Sequence, residues 1–62
     1  MTEKQFINYI NELNEQMKEL GHETDEAAVV IGQYLSDEIE YETESVIKAL
    51  KKLYQTALDL NC

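Results

Sequence analysis

The chain has 62 residues, with 13 acidic side chains against five basic ones and a formal net charge of −8. A chain of this length buries roughly 60% of its unfolded surface, so we expect one helical domain over residues 1–62. Cys62 is the only cysteine, which excludes an intramolecular disulfide. Self-association or close helix packing must therefore support the small core.

The composition argues against several classes of protein. Hydrophobic residues make up 44% of the chain and recur at helical spacing, unlike those of a disordered segment. The longest apolar run has five residues, so we expect no membrane span and no signal peptide, and a cytoplasmic protein. The negative charge and the absence of arginine argue against direct binding of nucleic acid.

The first predicted helix covers residues 3–20. Thr2 and Gln5 have the spacing of a capping box, in which each side chain bonds to the backbone of the other residue. Gly21 suits the left-handed position that ends many helices. The apolar positions between these signals follow spacings of four and three, and they are Phe6, Ile10, Leu13, Met17 and Leu20.

The second predicted helix covers residues 25–40. Thr24 is the candidate N-cap, and acids in the first turn complement the helix dipole. Gly32 is expected to mark close packing against a neighbouring helix. For residues 37–43 the sequence does not decide between a helix, an extended segment and a loop. We end the predicted helix near residue 40, because a longer helix would place like charges four residues apart. The apolar positions are Ala27, Ala28, Val30, Ile31, Tyr34, Leu35 and Ile39.

The third predicted helix covers residues 44–60 and begins after the candidate N-cap Thr43. Its apolar stripe is Val46, Leu50, Leu53, Ala57 and Leu60. Three helices with short connections predict an all-α fold, an antiparallel three-helix bundle. Further apolar side chains widen the faces of the first and third helices, which fits a homodimer. These side chains are Ile7, Tyr9, Ile47, Tyr54 and Leu58.

The negative charge is concentrated in one part of the chain. Residues 19–44 contain nine acids and no lysine, whereas residues 45–62 carry a net charge of +2. In an extended segment, alternate side chains share a face and lie ~6.6 Å apart. The carboxylates between residues 38 and 44 would then form a regular line of negative charge, as a nucleic-acid backbone does. Acidic faces also keep small proteins soluble without any further role.

The acids of this region, and the tyrosine among them, are the candidate partner-binding residues. Tyr41 can stack on a cationic side chain while its neighbours pair with the charge, or it can cover the end of the bundle. We predict a non-enzymatic protein that binds and blocks a basic surface of a nucleic-acid-binding protein. Anti-CRISPR and anti-restriction proteins encoded by phages share this size and charge. The predicted site is Glu23, Asp25, Glu26, Asp37, Glu38, Glu40, Tyr41, Glu42 and Glu44.

Two alternative functions stay open. A dimeric helical adaptor or regulatory protein would bind through its apolar helix faces, with the acids serving only solubility. Glu19 and His22 have the Glu-x-x-His spacing of di-iron bundles, so two copies could build a metal site, although Gly21 ends the predicted helix inside this motif. No phosphate-binding loop or cofactor motif is present, and Cys62 has no fixed base, so we expect an incidental thiol and no enzyme activity.

Overall fold

The computed structural model describes residues 1–61, and α-helices are the only regular secondary structure in that part of the chain. Helix α1 covers Glu3–Leu20, α2 covers Asp25–Leu35 and α3 covers Glu44–Leu60. The predicted all-α three-helix fold is confirmed. No helix within these residues combines the length and the apolar character needed to cross a membrane. The expectation for Cys62 concerns a residue outside the described ones.

Each helix begins after a threonine whose hydroxyl oxygen accepts a backbone N–H from the first turn. These caps are Thr2, Thr24 and Thr43, and the oxygen-to-nitrogen distances are 3.2, 3.1 and 3.4 Å. The Gln5 side chain accepts the N–H of Thr2 at 2.8 Å, which completes the predicted capping box. The caps satisfy backbone donors that the first turn of a helix leaves without partners. This local chemistry explains why all three helices start where the sequence predicts.

The core lies mainly between α1 and α3, and α2 packs against this pair. It is built from the centres of the predicted apolar stripes. The buried apolar residues are Ile10, Leu13 and Met17 of α1, Ala27, Val30 and Ile31 of α2, and Val46, Ala49, Leu50, Leu53 and Ala57 of α3. Burying large aliphatic side chains of this kind contributes roughly 1.5–3 kcal/mol each to folding.

The predicted stripes extend too far at the ends of two helices. Leu20 is 56% exposed and Leu35 is 63% exposed. Each is the last residue of its helix and lies beyond the last buried position of that helix. Conversely, three of the five side chains taken as an apolar surplus pack partly against the core, Ile47 is half-buried, and only Leu58 is exposed. The surplus that suggested a homodimer is therefore largely used inside one chain.

Asn14 is the one buried polar side chain among residues 1–61. It is 5% exposed, and its Oδ1 accepts no hydrogen bond from the protein. A buried polar atom without a partner costs about 1–3 kcal/mol of stability. Asn14 follows Leu13 at the edge of the α1 stripe, and no pattern in the sequence distinguishes it from the exposed asparagines of the same helix.

Helices α1 and α3 run parallel, and α2 returns antiparallel to both. At one end of the bundle the Thr43 hydroxyl, just before α3, donates to the carboxylate of Glu3 at the start of α1. At the other end Asn61 Nδ2, just after α3, donates to Glu23 Oε2 at 3.1 Å. The long axis of the bundle measures 29 Å, close to the ~27 Å that α1 spans at ~1.5 Å per residue.

Helix α2 ends at Leu35 and not near residue 40, which corrects the prediction. The chain turns at Asp37, whose φ of 60° lies in the left-handed region. The Asp37 N–H donates to the Tyr34 carbonyl at 3.2 Å, and the Glu38 N–H donates to the Gln33 carbonyl at 2.9 Å. This pair of bonds is the Schellman motif that closes many helices. Aspartate enters the left-handed region more readily than most residues. The sequence therefore contains no glycine that would indicate the end of α2.

The two glycines serve different purposes. Gly21 has a φ of 74° directly after α1, as predicted, and its N–H donates to the Met17 carbonyl at 2.9 Å. Gly32 lies on the exposed side of α2, and a Cβ placed there would meet no atom within 4 Å. The expectation that Gly32 marks close packing against another helix of the bundle is therefore wrong.

Replacing each glycine by alanine is expected to change stability in opposite directions. Gly32→Ala should raise the free energy of unfolding by about 0.5–1 kcal/mol, because alanine is the better helix former and its methyl group enters open space. Gly21→Ala should lower it by about 1–2 kcal/mol, because an L residue is strained at this positive φ. Urea unfolding followed by circular dichroism measures both values, and a destabilised Gly32→Ala variant would contradict the exposed position of Gly32.

Candidate functional site

The nine predicted binding residues fall into two groups at opposite ends of α2. The first acidic group is Glu23, Asp25 and Glu26, at the connection from α1 to α2. The second group is Asp37, Glu38, Glu40, Tyr41, Glu42 and Glu44. All of the second group except Glu44, the first residue of α3, lie in residues 36–43, which we call the acidic loop. The 11 residues of α2 place the two groups ~16 Å apart along the helix.

The first acidic group has local structural roles. Glu23 is half-buried and accepts the side-chain hydrogen bond from Asn61, which ties the end of α3 to the α1–α2 connection. Asp25 and Glu26 are exposed in the first turn of α2, where negative charge stabilises the positive end of the helix dipole. The bundle itself therefore accounts for the acids at this end.

The acidic loop connects α2 to α3 without forming a helix or a strand, which settles the open choice for residues 37–43. Ile39 and Tyr41 are half-buried and pack against the core, whereas Glu38, Glu40 and Glu42 are exposed. Such alternation is expected of an extended segment with one side on the protein. Three carboxylates of the loop are therefore exposed to solvent.

Tyr41 fastens the acidic loop to the start of α1. Its ring centroid lies 5.9 Å from that of Phe6, at an interplanar angle of 44°, within the usual range for aromatic pairs. The Tyr41 hydroxyl donates to the backbone carbonyl of Met1. Two residues later, the hydrogen bond from Thr43 to Glu3 holds the end of the loop on the same helix. Tyr41 is thus a boundary residue that covers this end of the bundle.

The carboxylates of the acidic loop have no cationic partner within residues 1–61. The only ion pair in that part of the chain joins Lys18 and Glu15 of α1, at 3.6 Å and largely exposed. The three lysines of α3 form no ion pair with the loop acids. The negative charge of the loop is therefore not neutralised by contacts inside the described structure.

A cavity of about 250 Å³ lies between the acidic loop and the neighbouring ends of α2 and α3. Aromatic and aliphatic side chains form most of its wall, and the only charged residues that line it are acidic. The lining residues are Tyr34, Asp37, Ile39, Tyr41, Glu42 and Ile47. Ile39 and Tyr41 also line a second cavity, of about 260 Å³, on the side of the loop that faces α1.

The Glu-x-x-His motif is broken by the end of α1. Glu19 lies in the last turn of the helix. His22 follows Gly21, whose left-handed conformation turns the chain away from the helix axis. His22 Nδ1 lies 3.2 Å from the backbone oxygen of Glu23. Among residues 1–61, no three histidine, cysteine or acidic side chains are placed to hold a metal ion.

The outer side of α2 is an exposed apolar face that the sequence patterns did not identify. Val29 is 60% exposed and Leu35 is 63% exposed, and Ala28 and Gly32 are exposed as well. The adaptor hypothesis rests on exposed apolar surface, and in this structure such surface is found on the short middle helix more than on the long ones.

No protein-family model matches this chain, and searches of curated proteins and of solved structures find no match either. The features of the molecule that bear on function are therefore the acidic loop, the cavity beside it and the outer face of α2.

Two substitutions at Tyr41 separate the contribution of its ring from that of its hydroxyl. Tyr41→Phe should lower the free energy of unfolding by about 0.5–1 kcal/mol, because the hydrogen bond to Met1 is lost while the ring stays on Phe6. Tyr41→Ala should lower it by about 2 kcal/mol, because the aromatic contact is lost as well. Urea unfolding measures both changes.

Tyr54→Phe is the matched control, because the Tyr54 hydroxyl makes no hydrogen bond within residues 1–61. Its stability should equal that of the parent protein. Equal stability of Tyr41→Phe and Tyr54→Phe would contradict the role given to the Tyr41 hydroxyl.

Proposed function

We propose that this protein is a non-enzymatic acidic binding protein that acts in the cytoplasm, where it occupies and blocks a basic surface of a nucleic-acid-binding protein. The observation that carries the proposal is the acidic loop. Its exposed Glu38, Glu40 and Glu42 lie on a segment that is fastened to α1, and they form no ion pair within residues 1–61.

Physical arguments support a binding role for such a loop. Regularly placed negative charge is what the basic groove of a nucleic-acid-binding protein normally meets. A segment that is already held in place loses little conformational freedom on binding, so more of the interaction energy appears as affinity. Concentrated charge of one sign also accelerates the encounter with a basic partner.

We further propose that the protein acts in the manner of the small acidic inhibitors that phages encode, such as anti-CRISPR and anti-restriction proteins. The support is the combination of 62 residues, a net charge of −8 and charge concentrated on one segment. This is an argument by analogy of size and charge, and the partner is specified only by its basic, nucleic-acid-binding surface.

Charge reversal in the acidic loop tests the proposal. The triple variant Glu38→Lys, Glu40→Lys and Glu42→Lys should lose capture of a nucleic-acid-binding protein from a host lysate, because the attraction becomes repulsion. It should also no longer compete with DNA or RNA for the captured protein. Binding by the parent protein should weaken as salt concentration rises.

A control with the same change in net charge lies on α1. Glu12→Lys, Glu15→Lys and Glu19→Lys reverse three exposed acids far along the chain from the loop, and this variant should retain capture and competition. Equal losses in the two triple variants, or binding that is insensitive to salt, would contradict the proposal. Circular dichroism shows whether both variants keep their helices.

A dimeric helical adaptor is the second candidate function, and the exposed apolar face of α2 favours it. In this case Val29→Gln with Leu35→Gln should dissociate a dimer without lowering helix content, because both side chains are mainly exposed within one chain. Sedimentation equilibrium measures the change. A parent protein that stays monomeric at high concentration would contradict dimerisation through this face.

A further inference from the structure

The cavity beside the acidic loop has the chemistry of a receptor for one cationic side chain. Tyr34 and Tyr41 offer aromatic surface, Ile39 and Ile47 offer aliphatic surface, and the two remaining lining residues are acidic. We propose that this cavity receives an arginine side chain from the basic surface of the partner, an inference that rests on the proposed function.

The size of the cavity suits a single side chain. Its volume of about 250 Å³ lies below the roughly 300–1,000 Å³ that is typical of small-molecule sites. A long cationic side chain buries its aliphatic stem on apolar surface and keeps its charged end at the polar rim. Here the isoleucines would contact the stem, and Asp37 and Glu42 would meet the charge.

Two features favour arginine over lysine in this cavity. A planar guanidinium stacks on aromatic rings, and its fork of donors can bond to two carboxylates at once, whereas an ammonium group is a compact and strongly hydrated charge. The chain itself contains no arginine. A second copy of the chain therefore cannot supply the preferred side chain, which points to a different protein as the partner.

The walls of the cavity are held in position by contacts outside it. The Schellman bonds after α2 set the backbone of Asp37, and the contacts of Tyr41 with Phe6 and Met1 set its ring. A receptor with fixed walls loses little conformational freedom when its ligand enters. Glu38 and Glu40 line the cavity on the other side of the loop, so Asp37 and Glu42 are the acids assigned to the arginine.

The test uses the full chain and a small probe, so that no partner has to be known. Nα-acetyl-arginine methylamide is titrated into the ¹⁵N-labelled protein and followed by amide chemical shifts. The neutral citrulline derivative has the same shape and is the control for charge. We expect saturable shifts for arginine that concentrate at residues 34–47, weaker ones for the lysine derivative, and none that saturate for citrulline.

Variants that replace acids by their neutral amides show which carboxylates contribute to arginine binding. Asp37→Asn with Glu42→Gln should weaken arginine binding about tenfold, which corresponds to about 1.4 kcal/mol. Asparagine tolerates the left-handed conformation, so the end of α2 is retained. Asp25→Asn with Glu26→Gln removes the same charge from the first acidic group and should change the affinity by about twofold or less, since exposed distant charges are screened.

The outcomes separate this inference from the proposed function. Equal weakening by both double variants, equal binding of citrulline, or shifts spread over the whole bundle would overturn the arginine site. If arginine does not bind in the cavity but partner capture still depends on Glu38, Glu40 and Glu42, the proposed function is retained without the arginine site. If arginine binds as expected while partner capture is unchanged by the charge reversal, the proposed function is contradicted and the arginine site is retained.

Discussion

The parallel packing of α1 against α3 is the constraint on which the rest of the structure depends. Because both helices start at the same end of the bundle, the chain must return along its full length between Leu20 and Glu44. The 11 residues of α2 cover ~16 Å of this return, against ~27 Å for α1. The acidic loop has to cover the remainder as non-helical chain. Its non-helical path to the start of α3, and the contact of Tyr41 with Phe6, follow from this shortfall.

The same geometry explains how the loop tolerates so many acids. It passes the N-termini of α1 and α3, whose backbone N–H groups form the positive ends of two helix dipoles. Glu3 and Glu44 lie in the first turns of these helices and benefit directly. Asp37 differs, because it follows the C-terminus of α2, where the dipole disfavours negative charge, and its φ of 60° suits glycine or asparagine better. The proposed arginine site would give the aspartate at this position a role that the end of the helix alone does not.

The sequence predicts the features that depend on local chemistry and misses those that depend on distant contacts. The threonine caps and Gly21 act within one turn of a helix, so all three helix starts and the end of α1 were predicted correctly. The end of α2 was not, because an aspartate takes the place of the usual glycine. The predicted site residues are all acids or Tyr41, but their division into two groups depends on the length of α2. The cavity depends on Tyr34 of α2 and Ile47 of α3 lining the same space, which no spacing in the sequence indicates.

The proposed function requires that the acidic loop is held in one position against α1. Amide ¹⁵N relaxation of residues 38–43 tests this most directly, because it reports backbone motion at each position of the loop. We expect order parameters close to those of the helices, about 0.85. Values below about 0.6 across these residues would mean a flexible loop, and they would contradict both the fixed placement of the loop carboxylates and the preformed cavity.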